Sequence, residues 1–196
     1  MVVTNNIIKM NLINYSNQNT KIAREVKNGK YFKIINGLYE TDASTPGYLL
    51  AGCIYGPSYL SFDFALAYYD LIPERVVNYT CATFNKKKKK EYHTNFGNFF
   101  YRDVPKEVYP YGINLIKESE YYYQIATPEK ALCDKLYTIP PLANIQDIRT
   151  LLIDDLRIDK SDLKKLNYND IEKLEELYHS TNVTLLKKYL RRIKDE

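Results

Sequence analysis

Few residues in this chain have the type and spacing for acid–base or metal chemistry. Asp63, Asp70, Asp103, Glu129 and Asp134 are the candidate carboxylates, with Lys130 between the last two. A nuclease-type centre needs carboxylates and a lysine converging at strand ends, where they hold a divalent ion and a water. Glu129 and Asp134 are five apart on a helical pattern, about 140° around the axis. They therefore diverge. Cys53, Cys81 and Cys133 are widely spaced without a CxxC pair and read as free buried thiols in a reducing compartment. His93 and His179 are isolated. No phosphate-loop, dinucleotide, nucleophile-elbow or zinc-protease motif occurs. No catalytic residue, metal or cofactor is assigned, and a metal-dependent nuclease ranks as the weakest functional class.

Phosphate contact is the other chemistry on offer. Lys21, Arg24 and Lys27 lie on one short helical pattern, and Lys30 and Lys33 follow at a hairpin. A second group, Lys86, Lys87 and Lys88, opens a run of five lysines. Cations in such groups can track a nucleic-acid backbone. They can equally be solvated faces, the lysine run serving to keep a tyrosine-rich hairpin from edge pairing.

The elements that must position these residues follow from the pattern. Ile7, Ile8, Met10, Leu12 and Ile13 mark a short helix or strand. Lys21 to Asn28 reads as a helix with Ile22 and Val26 on its buried side, closed by Gly29. Tyr31–Ile35 and Leu38–Glu40 flank Asn36-Gly37, a strong hairpin signal. Helix then hairpin is the closing half of a winged helix. Residues 43–47 read as a linker. Tyr48–Tyr55 is an apolar strand or buried helix segment. Ser61 is the expected cap of a buried helix reaching Leu71. Val76–Phe84 and Tyr92–Tyr101 are expected to pair, with the lysines at the hairpin tip and Gly97 at a bulge.

Glu118 to Tyr137 holds the clearest strand-to-helix joint. Tyr121, Tyr122, Tyr123 and Ile125 favour extended backbone. Thr127 offers an N-cap oxygen, Pro128 suits the first helical position, and Glu129 suits the helix dipole. Leu132 and Leu136 are expected in the core, and Lys130 and Asp134 as a surface pair. Helices at 145–153, 161–166, 170–178 and 183–193 follow. Ser161, Asn169 (or Asp170) and Asn182 are the expected caps.

The chain has 196 residues, 45% hydrophobic and 27% charged, which describes a soluble globular protein with one sizeable core or two smaller ones. Net charge is +4, which permits a nucleic-acid partner without requiring one. No signal-peptide pattern or membrane-length apolar run is read, so a cytoplasmic location without membrane contact is expected. The expected fold is α+β. A partial winged-helix unit over residues 1–45 packs on a mixed α/β domain over 46–196, with its core in 46–145 and its C-terminal helices in 146–196.

Three segments together resemble the AbiEi-type antitoxins of abortive-infection toxin–antitoxin systems. They are GKYFKIINGLYE (Gly29–Glu40), SYLSFDFALAYYDLIPE (Ser58–Glu74) and YQIATPEKALCDKLY (Tyr123–Tyr137). The resemblance covers roughly residues 20–150, and its most specific part is Thr127, Pro128, Glu129, Lys130, Leu132 and Asp134. It implies a non-enzymatic antitoxin and transcription regulator of a phage-defence operon. It also implies antagonism of a nucleotidyltransferase-type toxin, with or without a direct complex, and operator DNA as a partner of the winged helix. The N-terminus is shorter than the family pattern, with about thirty residues before the wing. The rival class is a protein-interaction module whose terminal helices dock a partner by their apolar faces.

Overall fold

The computed structural model describes residues 1–195; Glu196, the last residue of the expected C-terminal segment, lies outside the described residues. The chain opens with strand β1 (Val2–Thr4) and helix α1 (Asn5–Asn11). Helix α2 (Gln18–Lys27) and the hairpin β2 (Phe32–Ile35) and β3 (Leu38–Glu40) follow. The Asn17 side chain accepts from the Thr20 amide at 3.1 Å, so α2 starts before the expected Lys21. Gly29 closes it at φ +75, the left-handed conformation that glycine adopts without a Cβ clash. The hairpin turns at Asn36-Gly37 as expected, with Gly37 at φ +82.

These strands make a three-stranded antiparallel sheet in the order β1-β3-β2. Pairing of β1 with β3 has no counterpart in the sequence reading. Its two sides serve two cores. Val3, with Ile8, Leu12 and Ile22, makes a small core under the helices. Ile34, with Phe32 and Leu38 beside it, faces the main core.

The main unit starts with a 3-10 turn (Gly47–Leu50) running into α3 (Ala51–Ile54), so the Tyr48–Tyr55 segment is helical. Then come β4 (Tyr59–Leu60), α4 (Phe62–Tyr68), β5 (Tyr79–Thr83), β6 (Lys90–Thr94) and β7 (Gly97–Asp103). The hairpin β8 (Ile113–Glu118) and β9 (Tyr121–Ala126) leads into α5 (Pro128–Tyr137). The sheet is mixed, in the order β6-β7-β5-β4-β9-β8. The expected α+β class, with a mixed sheet and a helical C-terminus, is what forms.

One pairing corrects the sequence. β5 does not pair with the strand after the lysines. It runs parallel to β7, and β6 pairs with β7 at the sheet edge. The lysine run is therefore a crossover from β5 to β6, and the tight turn lies at Asn95-Phe96. Gly97 belongs to that turn, at φ +120, and a Cβ there would meet the Tyr79 ring at 2.7 Å. The alternation of apolar residues specifies faces but not partners, so two adjacent strands looked like a hairpin.

The C-terminal helices are α6 (Ile145–Thr150, extended by one wider turn to Asp155), α7 (Lys160–Lys165), α8 (Tyr168–Tyr178) and α9 (Thr181–Asp195). Their N-caps are Asp159 for α7 and Asn167 for α8, two residues ahead of Ser161 and of Asn169. Val183, Leu186, Leu190 and Ile193 of α9 are buried in the main core. The apolar faces expected to dock a partner are thus consumed internally. Asn182 is not a cap. Its Oδ1 accepts from the Leu142 amide at 2.8 Å, and its Nδ2 donates to the carbonyls of Leu136, Ile139 and Pro140 at 3.0, 3.0 and 3.2 Å. Among the described residues no helix is long and apolar enough to cross a membrane.

Candidate functional site

The basic face is built on α2 and β2. Ile22 is buried under the small sheet, which turns Asn19, Thr20, Ala23, Arg24 and Lys27 outward. Register places Lys33 opposite Tyr39, on the helix side of the sheet. Lys33 and Tyr39 line a groove of about 370 Å³ with Asn19, Ala23 and Val26.

The five expected cations divide in two. Lys21 bonds Glu25 at 2.6 Å, one helical turn on, and Lys30 approaches the same carboxylate at 3.6 Å. Arg24, Lys27 and Lys33 are exposed and make no ion pair or side-chain hydrogen bond among the described residues. Glu25 thus holds Lys21 and Lys30 together and offsets one of their two charges, leaving Arg24, Lys27 and Lys33 without an ion partner.

The lysine crossover is not a uniform brush. Lys86 Nζ donates to the Gly56 carbonyl at 3.0 Å and lies over the Tyr55 ring at 5.0 Å. The Lys87 amide donates to Asp103 at 2.7 Å, and the other oxygen of that carboxylate accepts from Thr83 at 2.6 Å. Lys88 stays exposed with no such anchor.

The joint residues are where the structure departs furthest from expectation. Thr127 caps α5 by accepting from the Lys130 amide at 3.3 Å, and Pro128 sits in its first turn. Leu132 and Leu136 are wholly buried, as expected. Glu129 reaches away from its own helix, and Oε1 accepts from the Asn167 amide at 2.8 Å. Lys130 and Asp134, expected at the surface, are both 0% exposed. Apolar side chains occupy the flanking positions Ala131, Leu132 and Cys133, and α5 is buried all round from Glu129 to Asp134, so the pair has no solvent face there.

Burial changes what the pair does. The ammonium stands 3.4 Å from Asp134 Oδ1 and donates to the Val108 carbonyl and the Tyr178 hydroxyl, each at 2.9 Å. Asp134 accepts from Tyr59 at 3.0 Å, from Ser61 at 2.5 Å and from a close Tyr178 hydroxyl. Ser61 is thereby drawn away from capping α4 and makes no side-chain cap bond. Burial pulls the Lys130 ammonium below its ordinary value, and the Asp134 charge pushes it back up. Burial also pushes the Tyr59 and Tyr178 phenols far up, with the Asp134 charge adding to it. No substrate atom reaches these groups without the fold opening. The network ties β4, α5, α8 and the Val108 loop to one point. The signal that could have found it is Tyr59 and Ser61, two apart on extended backbone and so on one face.

Cys81 and Cys133 are buried, whereas Cys53 is exposed, against expectation. Among the described residues, no group of three His, Cys, Asp or Glu side chains could hold a metal ion. No protein-family model matches the chain, and no curated protein is significantly similar to it.

Proposed function

We propose that the chain is an antitoxin-like regulator that binds operator DNA through α2 and the β2–β3 wing and counteracts a nucleotidyltransferase-type toxin. The observation that carries the DNA part is the set of exposed cations without an ion pair, Arg24 and Lys27 on α2 and Lys33 in the α2 groove. Strand, two helices and a hairpin, with β3 central in the sheet, support a winged-helix-like reading, with α2 meeting the groove and the wing meeting phosphate. The antitoxin part rests on the resemblance of the wing, the β4–α4 segment and the β9–α5 joint to that family. The domain division at residues 45 and 46, the cytoplasmic location and the absence of enzymatic activity belong to the same proposal.

Binding of the chain's own promoter fragment, read by fluorescence anisotropy against salt, tests the DNA assignment. Replacing Arg24, Lys27 and Lys33 with alanine should flatten the salt slope by about 3, near one unit per phosphate contact. An unchanged slope overturns it. Co-expression with the neighbouring gene tests the antitoxin part, and growth that is not restored overturns that.

A protein-interaction role has one observation in its favour. Ile7, Met10 and Ile13 are 47%, 75% and 76% exposed on and just beyond α1. A stable complex with the neighbouring gene product that Met10→Lys disrupts, without DNA binding, would favour that role.

A further inference from the structure

The helical layer leaves one end of the sheet uncovered. Tyr59 and Ser61 reach Asp134, so α5 lies over the face that carries them. Tyr59 pairs with Ala82, and Ala82 with Arg102, so Arg102 stands on the same face of β7. Phe100 is two residues away on that face, beside Thr80. There the helices end, and a cavity of about 160 Å³ opens between the edge strands, Asp63 of α4 and Lys135 of α5.

Its charge is lopsided. Lys89, Arg102 and Lys135 bring three cations to this face of the lining, against the two carboxylates of Asp63 and Glu91. Lys135 is answered by Asp63 at 2.6 Å. Lys89, Lys90 and Arg102 make no ion pair or side-chain hydrogen bond among the described residues. A solvated basic face would spread such charges. Here Lys89, Arg102 and Lys135 come from a crossover loop, a strand and a helix to one concavity walled by an aromatic ring, while Lys90, paired with Tyr101, stands on the other face of the sheet. Arginine and lysine around a concavity suit a phosphate, and an aromatic wall suits a base. The volume is below the roughly 300 Å³ of pockets that enclose a whole drug-sized ligand. That volume suits a phosphate and its sugar, with room for a base to lie outward along Phe100.

We propose that this cavity binds a nucleoside phosphate, with Arg102 and Lys89 on the phosphate and Phe100 against the base. The site lies outside the α2 face and does not depend on DNA binding there.

Isothermal titration calorimetry of the full chain tests it, with the four ribonucleoside 5′-monophosphates, their nucleosides and inorganic phosphate as probes. At least one monophosphate should bind saturably and about ten-fold tighter than either its nucleoside or phosphate. Arg102→Glu should weaken it by about ten-fold or more without shifting the thermal melt, because that side chain is exposed and unbonded. Phe100→Leu should weaken the nucleotide and leave phosphate unchanged. Absence of saturable binding, or binding indifferent to Arg102→Glu, overturns the site. Phosphate binding as tightly as the nucleotide overturns the nucleoside assignment. Binding of single-stranded oligonucleotide through Arg102 with no monophosphate binding also overturns it, in favour of a strand path.

Discussion

Lys130 and Asp134, one turn apart on α5, form an ion pair with no solvent exposure, at 3.4 Å. The carboxylate is satisfied by three hydroxyls as well as the ammonium, and the ammonium by a carbonyl and a hydroxyl. Full hydrogen bonding is what allows such a pair to be tolerated, since desolvating two charges costs several kcal/mol each.

Asp134→Ala should therefore act on folding. It strands a buried ammonium and the hydroxyls of Tyr59, Ser61 and Tyr178 together. A loss of about 3–5 kcal/mol is expected from equilibrium urea unfolding. A loss under about 1 kcal/mol would mean that water or another acceptor replaces the carboxylate.

The two buried phenols make an alkaline prediction. Their folded pKa values lie well above the ordinary 10.0, through burial and then the Asp134 charge. The folded state thus holds protons that the unfolded state releases. Their stabilisation is complete below pH 10 and is lost as pH rises above it. Tyrosinate absorbance should show a fraction of the twenty tyrosines that titrates only as the circular dichroism signal collapses. Titration of all of them before unfolding would contradict the buried network.

Asn182 ties the end of α5 to α9 through four backbone groups. Asn182→Ala should cost roughly 1–3 kcal/mol in thermal or urea unfolding, because buried backbone groups lose their partners. Asn182→Asp should be worse, since a carboxylate cannot donate to three carbonyls. Equal stabilities for the two variants would show that the donor side is unimportant.

Glu25 separates the expected DNA contacts. Alanine at Arg24 or Lys27 should weaken promoter binding more than alanine at Lys21 or Lys30, whose charges Glu25 already answers. Glu25→Gln should tighten binding by freeing both. Equal effects at all four positions in anisotropy titrations would show that the Glu25 clasp opens on DNA.

Local rules carried much of this protein. Asn36-Gly37, Gly29 and the Thr127-Pro128 joint wrote their own geometry, because turns and caps depend on neighbours in sequence. The α+β class followed from the same punctuation, and the placement of Leu132 and Leu136 from helical periodicity. The unpartnered state of Arg24, Lys27 and Lys33 was not legible, because it depends on where Glu25 points.

Strand partnership and depth were decided only by tertiary structure. The parallel pairing of β5 with β7 turned an apparent hairpin tip into a crossover, since alternation names a face and not a neighbour. Lys130 and Asp134 have the spacing of an ordinary surface pair, and that spacing is the same at any depth. Tyr59, Ser61 and Tyr178 fixed their role, as β4 and α8 brought these hydroxyls 75, 73 and 44 residues along the chain to a single carboxylate.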